Sequence, residues 1–245
     1  MQTHRSTDVL IATAADPASG SDLRRARRIA GAIALLLAPL AVGVVRAAIP
    51  VEKPGSAAPG SDALRTIADH ADAQRLTIAA GVLASLLLPF AMITLTRLVS
   101  RRTPVLGAVG GGLAIVGWAM VPVLVTLDVF GYELSRLGAT ASNAQVWDRV
   151  QGNAAIGALT AVFAVGHVVG TLLLAIGLHR GRWVPAWAAL AIVVGDLIHP
   201  VGAFAASRPL EVAAFGLLVI GLAPAAAALV RLDDDDWDCP PAKAI

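Results

Sequence analysis

Cysteine and lysine are nearly missing from this chain of 245 residues. The single cysteine, Cys239, excludes an intrachain disulfide and a cysteine-based metal cluster. The only two lysines, Lys53 and Lys243, lie outside the apolar runs, so a retinal-type Schiff base has no candidate amine there. The other basic residues are arginines, mostly at the edges of apolar runs. This placement argues against a nucleic-acid partner despite the net charge of +2.

Charged and aromatic side chains are also scarce. They make up 15% and 4% of the chain, whereas 57% of the residues are hydrophobic and the mean hydropathy is +0.73. A soluble core of this length cannot hide so many apolar side chains, so lipid must take the surplus. Small residues such as Ala and Gly let helices approach closely in a bilayer. We therefore predict an all-α, polytopic bundle of transmembrane helices.

Six segments are long and apolar enough to cross a hydrocarbon core of about 30 Å. The segment at residues 183–207, which is fifth in chain order, contains Asp196 and His199. The other five contain no Asp, Glu, Lys or Arg. Arginines are concentrated in the short connections on one side, so the positive-inside rule places both termini in the cytoplasm. The predicted spans are residues 29–45, 76–96, 103–127, 150–178, 183–207 and 212–230.

Polar segments flank the predicted spans at both ends of the chain. Residues 1–28 lack helical or strand periodicity, which predicts a disordered cytoplasmic tail that ends in a basic cluster. Residues 29–231 form the predicted six-helix domain. Residues 232–245 are rich in aspartate and are predicted to be an acidic cytoplasmic tail.

The largest predicted outer segment lies between the first two spans. A flexible stretch precedes Ser61, which is a good N-cap for a helix. Leu64, Ile67 and Ala71 then share one face at helical spacing. This spacing predicts an amphipathic segment near residues 61–75 that either lies on the membrane or caps the bundle.

Several local patterns recur in one known group of proteins. They are the basic run at residues 24–31, the outer amphipathic helix, the hinge at residues 101–104 and the hairpin at residues 178–185. In these patterns the chain resembles a bacterial family of six-helix integral membrane proteins catalogued as a domain of unknown function. The resemblance covers most of residues 24–231 and carries over no activity or catalytic residue. We expect a multi-pass protein of the inner cell membrane.

Ionisable side chains inside the predicted spans are the sharpest functional signal. An Asp at a helix centre costs roughly 2.5–3.5 kcal/mol on insertion scales, so it is normally turned inward and paired. Asp196 and His167 come to similar depths on helices joined by a short hairpin, so we expect them to be direct neighbours. The candidate residues of a ligand or proton site in the outer half are Asp128, His167, Asp196 and His199.

Three functions stay open for this group of residues. The leading hypothesis is a small transporter or ligand-binding membrane protein in which Asp196 and His167 bind or relay a proton or cation. The first rival is a membrane-embedded enzyme that uses a metal or a haem held by His167 and His199, although no His-x-x-x-His pair supports a metal site. The second is an accessory subunit that packs against partner membrane proteins. The sequence specifies no cofactor.

The charged residues at the predicted outer ends of the spans have a simpler interpretation. Arg46 has a long side chain that can extend to the outer interface. Four more charges at these ends are expected to meet headgroups and water, although they can also rim a pocket. They are Glu133, Arg136, Arg208 and Glu211.

Overall fold

The computed structural model describes residues 17–51, 59–234 and 237. Within these ranges the chain is helical and contains no strand, so the all-α prediction is confirmed. Nine helices follow one another in the described ranges. They are α1 (Pro17–Ala48), α2 (Gly60–Asp69), α3 (Ala71–Ser100), α4 (Pro104–Trp118), α5 (Val121–Arg136), α6 (Ala141–Gln151), α7 (Ala154–Arg180), α8 (Ala186–Phe204) and α9 (Arg208–Arg231).

Six stretches of helix in the described ranges are long and apolar enough to cross a membrane, and the third consists of α4 and α5 together. Large apolar side chains such as Leu86 and Val105 are more than two-thirds exposed (71% and 72%), as expected for residues that face lipid. The chain is therefore a multi-pass membrane protein, as predicted. The spans are Leu23–Ala48, Ala71–Ser100, Pro104–Arg136, Ala154–Arg180, Ala186–Phe204 and Arg208–Arg231.

The first and last spans meet at one end of the bundle. Arg28 Nη2 donates a hydrogen bond to Asp234 Oδ1 at 2.6 Å, and Arg28 Nη1 donates to the carbonyl of Leu229 at 3.5 Å. A chain with an even number of spans has its two ends on the same side of the membrane, and this contact agrees with that. We call this end, which also holds the α3–α4 and α7–α8 turns, the inner half, and the end that holds α2 and α6 the outer half.

Helix α1 begins at Pro17, twelve residues before the predicted first span. Part of the tail that was predicted to be disordered is therefore helical. Residues such as Leu23 and Ala26 favour helix, and extending an existing helix requires no new nucleation. Residues 1–16, and most of the predicted acidic tail beyond Asp234, lie outside the described residues.

The outer amphipathic segment is two helices rather than one. Helix α2 starts at Gly60, directly after Pro59, and ends before His70, and α3 begins at Ala71. Ser61 is thus inside α2 and is not its N-cap. A second amphipathic helix, α6, was not predicted. A small apolar core holds α2, α5 and α6 together, so α2 caps the bundle. The buried residues of this core are Ala63, Leu64, Leu134 and Trp147.

The six spans are arranged as a ring. Each packs on two neighbours, in the order α1, α3, α4, α7, α8, α9 and back to α1. Small residues bring α4 and α7 close together. A Cβ atom at Gly170 would overlap the backbone of Ala114, and one at Gly117 would overlap the backbone of Gly166. In the inner half the ring is therefore closed by backbone-to-backbone contact.

The third span breaks at Ala119 and Met120. Pro122 in the first turn of α5 has no backbone N–H, and its ring clashes sterically with the preceding turn of a continuous helix. Below the break α4 packs along α7, whereas above it α5 turns away and packs on α3 and α2. Helix α5 continues to Arg136, so Asp128 lies in its middle and not at its end. The ring is therefore open between α5 and α7 in the outer half.

Candidate functional site

A cavity of about 540 Å³ lies in the outer half of the ring, where α5 diverges from α7. We call it the outer cavity. Residues from α1 through α8 line it, and most of the lining is apolar. It reaches down to Trp118, the last residue of α4. Polar and charged side chains on its wall include Arg46, Asp128, Gln151, Thr160, His167 and His199.

His167 lies at the bottom of the outer cavity and is only 2% exposed. Its Nδ1 is 2.6 Å from the carbonyl oxygen of Phe163. A carbonyl can only accept, so Nδ1 carries the proton and donates it, and Nε2 of the neutral ring is an acceptor. This Nε2 is buried and has no hydrogen-bond partner.

Aromatic rings fix the orientation of His167. Phe163 stacks on it with ring centroids 4.2 Å apart, and Trp118 lies at 4.9 Å. The indole Nε1 of Trp118, which can only donate, is also buried without a hydrogen-bond partner. The two rings are thus in contact at the bottom of the outer cavity, and each carries a buried nitrogen, an acceptor on His167 and a donor on Trp118, without a hydrogen-bond partner.

His199 lies beside His167, and their ring centroids are 5.7 Å apart. Phe215 on α9 packs against the other side of His199 at 4.8 Å. The Nδ1 atom of His199 is 3.6 Å from Oε1 of Glu211. The structure therefore brings two of the predicted site residues together and adds a carboxylate behind them.

Arg46 and Glu211 form a largely buried ion pair that the sequence alone does not predict. Glu211 is fully buried, the Arg46 side chain is 12% exposed, and Arg46 Nε donates to Glu211 Oε2 at 2.6 Å. The expectation that both charges meet headgroups and water is wrong for this pair. Helices α1 and α9 are neighbours in the ring, so each charge offsets part of the desolvation cost of the other. Nothing in a single sequence links position 46 to position 211.

The two predicted aspartates occupy different environments. Asp128 lines the outer cavity, and its backbone carbonyl accepts a hydrogen bond from Gln74 Nε2 at 3.1 Å. Asp196 is 1% exposed, does not line the cavity, and leaves Oδ2 without a hydrogen-bond partner. It forms no hydrogen bond or ion pair with His167. The side chain that packs on His167 from α8 is that of His199, three residues further along the helix.

The described part of the chain contains no group of three or more His, Cys, Asp or Glu residues that could hold a metal ion. His167 and His199 supply two imidazoles, but no third His, Cys, Asp or Glu among the described residues completes a ligand set with them. The geometry therefore adds no support to the metal and haem hypotheses.

Comparison with protein-family models, with curated proteins and with solved structures finds no match to this chain. The resemblance to the bacterial six-helix family accordingly stays a prediction. Because a fold does not by itself define a function, the function must be argued from the site alone.

Proposed function

We propose that this protein is a small transporter or ligand-binding protein of the inner membrane that takes up a small molecule from the outer side. The observation that carries the proposal is the outer cavity, which ends at His167 and Trp118. Both residues are more than nine-tenths buried, and each has a polar atom without a partner. Buried polar atoms in proteins nearly always have hydrogen-bond partners, so these two atoms suit a bound ligand.

The shape of the ring favours a transporter-like cycle. The inner half is filled by a buried apolar core that includes Leu98, Leu178 and Leu229, and the outer half holds the cavity. This is the arrangement of an outward-open conformation, in which a ligand has access from one side only. In this proposal His167 and His199 contact the ligand or a proton, while Asp196, which lies away from the cavity, does not touch the ligand in this conformation.

We place both chain ends in the cytoplasm, and the native Cys239 provides a test. The Arg28–Asp234 pair lies at the end of the bundle that also holds Arg101 and Arg180, which supports this orientation. We expect a membrane-impermeant maleimide to label Cys239 in inverted vesicles and not in right-side-out vesicles. A Glu133→Cys variant in a Cys239→Ser background should show the opposite pattern. Labelling of Cys239 from outside would overturn the orientation.

The outer cavity itself can be tested by thiol accessibility. Thr160 lines the cavity on α7, so Thr160→Cys in the Cys239→Ser background should react with an impermeant methanethiosulfonate reagent added from outside. Gly157→Trp should slow this reaction several-fold. Gly157 lines the cavity, and a Cβ atom there would meet nothing within 4 Å, so a larger side chain can begin at this position without disturbing the helix packing.

The matched control for this experiment is Gly216→Trp. Gly216 lies on α9 outside the cavity lining, and a Cβ atom there also meets nothing within 4 Å. This variant should leave the labelling rate unchanged. If the thiol at position 160 does not react in folded protein, the cavity is closed to the outside and the proposed function fails.

A further inference from the structure

The wall of the outer cavity is open on the side of α7. Residues 154–165 of α7 include no buried residue, although the segment is strongly apolar. Val162 and Val165 are exposed by 42% and 60%. Helix α5, which would cover this part of α7 if the third span were straight, packs on α3 and α2 instead. The gap between α5 and α7 therefore faces the hydrocarbon of the outer leaflet.

The side chains along this gap are apolar as well. Leu124 from α5 and Ile156 and Phe163 from α7 line the outer cavity next to the opening. A water-soluble ion gains nothing from such a surface, because its charge would lose hydration without a compensating partner. A molecule that is already dissolved in lipid loses no hydration when it passes between these helices.

The bottom of the cavity selects a particular polar group. Nε2 of His167 requires a donor and Nε1–H of Trp118 requires an acceptor, and the two rings are 4.9 Å apart. A hydroxyl group both donates and accepts, so an alcohol has the chemistry to pair with either atom when the surrounding side chains shift to admit it. A carboxylate or an ether only accepts, and an ammonium only donates, so each would leave one of the two atoms unpaired.

We infer that the ligand is a neutral, lipid-soluble alcohol or phenol that reaches the outer cavity sideways between α5 and α7 and directs its hydroxyl to the Trp118–His167 pair at the bottom of the cavity. This inference rests on the proposed function, since it names the chemical class of that ligand. The cavity volume of about 540 Å³ suits a single small molecule. The apolar lining accommodates the hydrocarbon part, and the donor–acceptor pair at the bottom recognises the hydroxyl.

Photolabelling of the full-length protein in lipid nanodiscs tests this inference. One probe is hexadecanol with a diazirine on its chain, and its matched control is the methyl ether of the same molecule. We expect the alcohol to label the cavity-lining peptides of α5 and α7 about two- to tenfold more than the ether, which is the contribution of one hydrogen bond. Equal labelling by the two probes in the unmodified protein would contradict the recognition of a hydroxyl.

Variants at the bottom of the cavity separate the donor from the acceptor. His167→Phe removes the acceptor and should abolish the preference for the alcohol, whereas His167→Gln retains an acceptor oxygen and should keep part of it. Trp118→Phe removes the donor and should reduce labelling by both probes to a similar degree, because an ether oxygen also accepts from Nε1–H. A preference that survives unchanged in His167→Phe would overturn the assignment of His167.

The route is tested by the same probes. Gly157→Trp should suppress labelling of the cavity by both probes, and Gly216→Trp should not. If neither probe labels the cavity while the Thr160→Cys thiol still reacts with the aqueous reagent, the lipid route is wrong and the proposed function stands. If that thiol is also unreactive in folded protein, the proposed function itself is contradicted.

Discussion

Glu211→Ala is expected to destabilise the protein by about 1–3 kcal/mol, because it leaves the largely buried charge of Arg46, on the wall of the outer cavity, without its carboxylate partner. Glu211 is fully buried, and Arg46 donates to it through both Nε and Nη2. Removing one member of such a pair costs more than the pair itself contributes, since the remaining charge has already lost its hydration. The free energy of unfolding in mixed detergent micelles, measured against the unmodified protein, gives the effect directly.

Two further variants show whether burial is the cause. The double variant Arg46→Met with Glu211→Leu should recover most of the lost stability, because apolar residues of similar volume often replace a buried ion pair without loss. Glu133→Ala breaks the exposed pair with Arg136, whose side chains are 57% and 64% exposed, and should change stability by less than about 1 kcal/mol. If Glu211→Ala were as mild as Glu133→Ala, burial would not be what makes the loss of the Arg46–Glu211 pair costly.

The same pair shows why the fold was easier to predict than the site. Each span follows from its own length and apolarity, because the bilayer imposes its thickness on every segment separately. The number of spans therefore needs no tertiary information. The contact between Arg46 and Glu211 requires the knowledge that α1 and α9 close the ring, and no pattern within either helix reveals it.

The predicted site residues illustrate an intermediate case. His167 and His199 stood out because an ionisable group inside an apolar span is costly at that position alone. Their proximity depends on the offset between α7 and α8, and this offset, which a single sequence does not fix, brings His199 against His167. The break at Ala119 and Met120 was equally hidden. Pro122 indicated a kink, but the sequence did not show that α5 would leave α7.

The close contact between α4 and α7 predicts the second large effect on stability, from a substitution in α4. Gly117→Ala should destabilise the protein by about 1–3 kcal/mol, as overpacking does in a tight core. The added Cβ atom would overlap the backbone of His167 and Gly166, and backbone atoms cannot rotate away as a side chain can. Helices α4 and α7 would have to separate, which would also move His167 at the bottom of the outer cavity.

Gly112→Ala on the same helix is the matched control for this expectation. A Cβ atom at Gly112 would meet nothing within 4 Å, and replacing a glycine inside a helix by alanine commonly stabilises by about 0.5–1 kcal/mol. The two variants make the same chemical change on one helix, so a difference of sign between their unfolding free energies isolates the contact with α7. If both variants responded alike, α4 and α7 would not be in backbone contact, and the outer cavity would have no closed floor from which a transport cycle could begin.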